Sequence, residues 1–525
     1  MGFIQVLLHI FYLFIFIIIS TLTVILYNLC IHSLHHFPGP PFAAASPLPF
    51  IYHLVRGSMT TWLSKLHARY GPVVRISPFE LSYIDACAWK DIFGHRVGRY
   101  NTLPRDPRFY GPETNGRNGI IRSDQKSHAR LRRLLAHAFS EQALREQEGL
   151  IREHVDKLVL QLGVVAAKNG ERDKEGGGTV DIVRLLNLTT FDIMGDLTFG
   201  ESLNMQSHTA YTPWVDSVFS TYHVFTVMMV LRKYFPILQP LASILIPKRL
   251  QQKRQVHIRY SQAMVDRRLA RAPDRPDIWS FVLRHTEDDG KGMSVPEMHA
   301  TSSTLMIAGT RTTASALSGL LYYLLKDTSR KRKLVDEIRN AFSTEADMTA
   351  AMLSRLPYLQ ACIDEALRLY PPIPTGNPRV VPSGGVQICG KWVPEGTSVF
   401  VHHYAAYHSP THFHHASSFL PERWLGDDPT FSRDEKSVFK PFSYGPRNCL
   451  GKNLAYHEIK LIATSLLWHF DLSLADKSGD WARQLVYVTW DKPPLRIHVK
   501  KRLLDKNEGK DFDRESSRRG SRKRN

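Results

Sequence analysis

The chain has 525 residues and a formal net charge of +19, with 68 Lys and Arg against 49 Asp and Glu. Such a length exceeds a small domain and can bury a large core, and no repeated period is visible, which excludes a solenoid. Five widely spaced cysteines (Cys30, Cys87, Cys362, Cys389, Cys449) exclude a disulfide framework and suit a reducing compartment, while the charge leaves nucleic acid, an anionic membrane or an acidic protein as partner classes.

Residues 3–30 contain no Asp, Glu, Lys or Arg and are dense in Ile, Leu, Phe and Val. A bilayer-spanning helix needs ~20 apolar residues, so residues 1–30 are expected to form an uncleaved anchor. The first Lys or Arg is Arg56, and the positive-inside tendency then expects a cytosolic body. Phe37-Pro38-Gly39-Pro40-Pro41 fixes φ repeatedly and reads as a stiff hinge across residues 31–45. Residues 73–77 and 80–84 alternate as strands. From Asp124 the pattern is mostly helical, including residues 140–162. Residues 170–178 read as a charged surface loop. Asn187-Leu188-Thr189 fits a glycosylation acceptor, which a cytosolic body makes a chance match. Residues 211–247 are rich in aromatic residues, Met and Val, and composition leaves core packing and a pocket roof both open.

Residues 298–326 read as one long, mostly apolar helix containing Ala308-Gly309-Thr310-Arg311-Thr312-Thr313. A glycine in a buried helix is costly without a purpose. The Thr312 hydroxyl can bond back to a carbonyl one turn earlier and open the helix locally. Glu365 and Arg368 stand three apart, on one helix face, and Pro371-Pro372 ends that helix. Pro421-Glu422-Arg423-Trp424 follows downstream. His402, His403, His408, His412, His414 and His415 cluster without the spacing of a metal site. In Phe442-Ser443-Tyr444-Gly445-Pro446-Arg447-Asn448-Cys449-Leu450-Gly451 a thiol sits in a turn between glycines, ahead of a helical pattern over residues 452–470. Turn amides can point at the sulphur and hold it as thiolate. An axial thiolate is one of few ways to hold haem iron, and it favours O–O cleavage. Residues 501–525 are basic and poor in apolar side chains, and are expected to be a disordered tail.

The spacing Phe-x-x-Gly-x-Arg-x-Cys-x-Gly resembles the haem-binding signature of the cytochrome P450 family, with every fixed position filled. The resemblance runs over about residues 37–500 and implies a mainly α fold with small β-sheets and a single N-terminal transmembrane helix. The body, residues 46–500, then holds haem b between two helices. Cys449 takes the place of the axial iron ligand, with Phe442 opening the signature. His128 stands where tryptophan is commoner, and with Arg132, Arg379 and Arg447 it is implied to hold the propionates. Glu365, Arg368 and Arg423 match the buried charge triad that locks the cysteine loop. Thr312 takes the place of the proton-delivering threonine. Arg311 departs from the family pattern, which has a carboxylate there. A guanidinium relays no protons, so Arg311 either receives a substrate carboxylate or points away to backbone or propionate-side groups. Residues 211–247 correspond to the family's pocket roof against the membrane, and Leu305, Ile373 and Thr375 are pocket candidates.

The implied activity is hydroxylation or epoxidation of an apolar small molecule, with the wording closest to filamentous-fungal members that act on terpenoid, polyketide or alkaloid secondary metabolites. Electrons are expected from NADPH-cytochrome P450 reductase, with cytochrome b5 as a further donor and the endoplasmic reticulum as location. No nucleic acid partner is expected. Lys440, Arg447 and Lys452 are candidates to meet an acidic redox partner. Two other classes stay open: a peroxide-using or isomerising haem-thiolate enzyme, which Arg311 favours, and a non-catalytic haem carrier or sensor.

Overall fold

The computed structural model describes residues 2–96, 102–111, 119–168, 177–207, 222–238, 247–271, 275–284, 292–426, 428–476 and 479–502. It is mainly helical with three small sheets. The N-terminal helix Gly2–Leu26 is largely exposed and continues into a π-turn, Tyr27–Ile31. The span Phe3–Ile31 is long and apolar enough to cross a membrane.

The proline-rich stretch behind it is seated on the body, not hung as a free hinge. The Pro38 carbonyl accepts from the Arg75 amide at 2.7 Å. The Arg75 guanidinium, itself buried, donates to the Asn28 carbonyl at 2.9 Å. Gly39 is needed there, because a Cβ would stand 2.3 Å from the Arg75 carbonyl oxygen.

Strands β1 (Val73–Ser77) and β2 (Glu80–Tyr83) pair antiparallel. Further along the chain come β3 (Gly178–Asp181), β4 (Arg379–Val380), β5 (Val386–Ile388), β6 (Lys391–Val393), β7 (Ser398–Val401), β8 (Phe470–Leu474) and β9 (Arg496–Lys501). The sheets run β1-β2-β7-β4, β3-β9-β8 and β5-β6. Every residue of β1 and β2 is buried, because both faces of that sheet are covered, so the alternation seen in the sequence does not mark a solvent face.

The main core is helical. Its centre is the helix Val295–Lys326, started by Pro296 in its first turn and by the Glu297 carboxylate, which accepts from the Ser294 amide at 2.9 Å. Helix Ile182–Phe199 packs most closely on it. A Cβ on Gly309 would lie 2.4 Å from the Met194 sulphur. The glycine is therefore there to let two helices approach. Asn187 is buried on that second helix, which removes it as a glycosylation acceptor.

One reading of the cysteines is corrected. Cys87 and Cys389 are joined by a disulfide across 302 residues of sequence. The β5–β6 hairpin packs against helix Cys87–Phe93 and brings the two sulphurs together, a proximity that linear spacing does not show. The bridge runs against the reducing-compartment reading.

Lys501 belongs to β9, where it pairs with Phe470. The Arg502 amide follows it by donating to the His469 carbonyl at 2.9 Å; residues 503–525 of the basic tail lie outside the described residues, as do most of the loop at 170–178 and much of 211–247. Within the last region, helix Tyr222–Tyr234 sets Met229 and Val230 against Phe50, Leu54 and Met59.

Candidate active site

The cysteine loop is shaped by its own backbone. The Cys449 amide donates to the Phe442 carbonyl at 2.9 Å, and the Asn448 amide to the Gly445 carbonyl at 3.0 Å. Gly445 sits at φ 74°, and a Cβ there would stand 1.9 Å from the Phe93 carbonyl oxygen, so only glycine fits between loop and helix Cys87–Phe93. The Phe442 ring packs on Tyr456, with centroids 5.0 Å apart. Helix Lys452–His469 begins directly after Gly451.

Cys449 keeps an exposed surface, although protein crowds around its thiol. Burial pushes its thiol up, and the Gly451 amide and Arg132 pull it back only in part. The turn amides alone therefore do not make the thiolate that the sequence suggests. A metal cation at the sulphur would complete the deprotonation.

Around that loop the fold gathers cations. Asp124 caps helix Gln125–Ala136 by accepting from the Lys126 and Ser127 amides, which sets His128 and Arg132 one turn apart. Arg132 donates to the Asn448 carbonyl at 2.7 Å and also to its side-chain oxygen. Arg447 donates to the Ser123 carbonyl at 2.9 Å. Arg379, on β4, donates to the Leu103 carbonyl at 3.4 Å and stands 5.3 Å over the Phe93 ring. Arg105 bridges to Arg379 through the backbone and donates to the Ile121 carbonyl.

Burial, and then the cations of Arg447, Arg105, Arg132 and Arg379, hold His128 down at about 3, so it is neutral. Burial, with Arg105 and Arg447 as like charges, lowers Arg379 to about 9; burial and Arg105 lower Arg447 to about 10. Among the described residues none of these four arginines forms a salt bridge, and Arg105 Nε, Arg379 Nε, Arg447 Nη1 and the Tyr110 hydroxyl have no hydrogen-bond partner. Arg379 is buried and the other three are half-buried, and cations withdrawn from water without anions are costly. The arrangement fits a flat dianion next to an exposed cysteine: the thiol for a metal, the free guanidinium hydrogens for two carboxylates.

Arg105 and Tyr110 were not legible from sequence. Neither lies in a motif, and only the backbone bridge to β4 draws them in. Arg447 turns inward, which removes it from the set expected to face an acidic partner, while Lys452 stays exposed.

The triad is assembled and fully buried. Arg368 donates to both Glu365 oxygens, at 2.9 and 2.8 Å. Arg423 Nε donates to both as well, at 3.1 Å. Three carbonyls also receive Arg368: Tyr407 at 2.8 Å, Ala416 at 2.6 Å and Ser418 at 3.0 Å. Two further members were not read from the sequence: Asp434, paired with Arg423, and the Trp424 indole, which donates to Glu365 at 2.9 Å.

On the central helix, Thr312 Oγ1 donates to the Ala308 carbonyl at 2.6 Å. The helix stays α-helical through this turn, so the back-bond does not break it. Arg311 points elsewhere: its Nη2 donates to the Trp490 carbonyl at 3.0 Å. That contact lies in the C-terminal loop, so the reading of Arg311 as a receiver for a substrate carboxylate has no support in its geometry. Leu305 and Thr375 are buried and Ile373 half-buried. His402, His403, His408 and His412 bond to backbone, as His403 does to the Ile373 carbonyl at 2.8 Å, and among the described residues no group of three or more His, Cys, Asp or Glu is placed to hold a metal ion.

A mainly helical body carrying this thiol loop and its ring of arginines defines a haem-thiolate protein. The chain belongs to the cytochrome P450 family, whose description matches residues 38–497. It is similar to cytochrome P450 monooxygenase efuB of Hormonema carpetanum, 45% identical over 474 residues that cover 90% of this chain and 92% of the relative. Cytochrome P450 monooxygenase astA of Talaromyces wortmannii is 43% identical over 477 residues, covering 91% and 94%. Cytochrome P450 monooxygenase FUM2 of Gibberella moniliformis is 40% identical over 479 residues, covering 91% and 99%.

Proposed function

We propose that this monooxygenase inserts oxygen into a C–H or C=C bond of an apolar fungal secondary metabolite, using haem b. The observation that carries the reading is the exposed Cys449 beside a buried Arg379 and half-buried Arg105, Arg132 and Arg447, none of them paired with a carboxylate among the described residues. Cys449 would ligate the iron. Arg105, Arg132, Arg379, Arg447, His128 and Tyr110 would hold the propionates. When bound, thiolate-ligated haem supplies reductive activation of dioxygen and transfer of one oxygen atom.

The chain's own residues supply the rest. Glu365, Arg368 and Arg423 fix the segment leading to the cysteine loop. Thr312 holds a proton at Oγ1, parked on the Ala308 carbonyl, and water can relay it. Arg311 is turned to the Trp490 carbonyl, so proton supply falls to Thr312.

Electrons come from a membrane-bound NADPH-cytochrome P450 reductase, with cytochrome b5 as a further donor and Lys440 and Lys452 at the docking face. The anchor, residues 1–30, sits in the endoplasmic reticulum membrane, and the Lys and Arg content beyond it favours a cytosolic body. The Cys87–Cys389 bridge weighs against that side, and differential alkylation of the protein taken directly from membranes decides it.

The cofactor reading is tested on the reduced, carbon monoxide-treated protein, which is expected to give a thiolate-type Soret band; its absence overturns the reading. Deletion of the gene is expected to accumulate a less oxidised apolar precursor. An unchanged metabolite profile refutes the biosynthetic role.

A further inference from the structure

Arg311 occupies the place where a carboxylate is expected, immediately before Thr312, and it is buried. Its Nη2 reaches the Trp490 carbonyl at 3.0 Å. One turn along the same helix, Ser315 Oγ accepts from Lys492 Nζ at 3.0 Å, and Lys492 also donates to Asn187 Oδ1 at 3.4 Å. Two residues of the central helix thus hold two alternate residues of the C-terminal loop.

The loop between them is tight. Val486 and Trp490 bridge antiparallel, and Val488 sits at φ 121°, a region that a β-branched residue rarely adopts. Such strain persists only where the surroundings over-determine it. The Trp490 ring stacks on Tyr370, 4.5 Å between centroids, and its indole donates to the Pro371 carbonyl at 2.7 Å. Thr226 Oγ1, on helix Tyr222–Tyr234, donates to the Tyr487 carbonyl at 3.2 Å. The loop is therefore pinned from three sides, and Arg311 is the pin nearest Thr312.

The charges explain why an arginine serves here. Burial, and then Arg311, push Lys492 well below its ordinary value. A carboxylate at 311 would only accept, leaving the Trp490 carbonyl without this donor.

We propose that Arg311 is a positioning residue: it fixes the strained loop at residues 486–490 against the helix that carries Thr312, and so sets the shape of the wall there. The geometry of the lock stands by itself; its effect on bound molecules rests on the haem-thiolate reading above.

The test uses the full-length protein as wild type, Arg311→Met and Arg311→Lys. Hydrogen exchange is expected to quicken by roughly tenfold or more at amides 486–491 in Arg311→Met, and by less in Arg311→Lys, which keeps a donor. Spectral titration with imidazole, the smaller ligand, is expected to be unchanged. With 4-phenylimidazole, binding to Arg311→Met is expected to weaken by about tenfold. Unchanged exchange at 486–491 overturns the lock, and so does equal weakening of both imidazoles. Should Arg311→Met fail to fold, the Arg311→Lys exchange decides. Failure of the wild-type carbon monoxide spectrum would strike the haem reading and leave the exchange result intact.

Discussion

Replacing Arg368 by alanine removes five hydrogen bonds at one stroke. Two go to Glu365 and three to the carbonyls of Tyr407, Ala416 and Ser418. Both Arg368 and Glu365 are 0% exposed, so water does not take the lost donor's place. Breaking a buried ion pair costs about 3–5 kcal/mol, and each buried carbonyl left without a donor adds about 1–3 kcal/mol. The terms are not additive, and Arg423 keeps Glu365 partly paired, so about 5 kcal/mol is a sound expectation. That is comparable with the whole stability of an ordinary domain, about 5–15 kcal/mol. The stretch from Tyr407 to Asp434 then loses its anchor, and the cysteine loop that follows loses its footing. Arg368→Ala is expected to bind no haem, read as total haem per protein and as the carbon monoxide difference spectrum, while far-ultraviolet circular dichroism keeps its helical signal at low temperature. A soluble Arg368→Ala protein with a normal thiolate-type band would refute the reasoning. Arg368→Lys keeps the charge but not the fork, and should fall between the two.

Thr312→Val removes the hydroxyl at nearly constant shape; NADPH consumption should continue while product falls by about tenfold or more, and tight coupling in that variant would contradict the proton role. Arg105→Gln should act with opposite signs on the two forms of the protein. It relieves repulsion among Arg105, Arg379 and Arg447 in the haem-free chain, raising its Tm, and speeds haem loss to apomyoglobin by roughly tenfold through a lost charged hydrogen bond. Acid should destabilise the fold, because burial lowers His67 and His403 to about 4 and His408 to about 3, from 6.5. Between those values the unfolded chain binds more protons than the folded one, so stability is full above pH ~6.5 and falls as pH drops towards 4. A Tm that stays flat over that window would show that these imidazoles are not buried neutral.

Much of the site could be read along the chain because its parts are short-range. The cysteine turn needs glycine within a few residues of the sulphur, and the Glu365–Arg368 pair lies on one helical turn. His128 and Arg132 are likewise a turn apart. These spacings survive any tertiary arrangement. Arg105 and Tyr110 had no such signature. Their role exists only because β4 runs beside Arg105, and Asp434 joins the triad only because the chain folds back onto Arg423.

The sequence by itself determined the anchor, the long central helix, the thiol turn and the family, since local periodicity, glycine placement and residue spacing are properties of consecutive residues. Tertiary structure alone decided the direction of Arg311, the pairing of Cys87 with Cys389, the seating of the proline stretch on Arg75 and the packing duty of Gly309. Each of these depends on a partner tens to hundreds of residues away. A side chain's burial and charge environment are set by what folds against it, and that is not written in its neighbours.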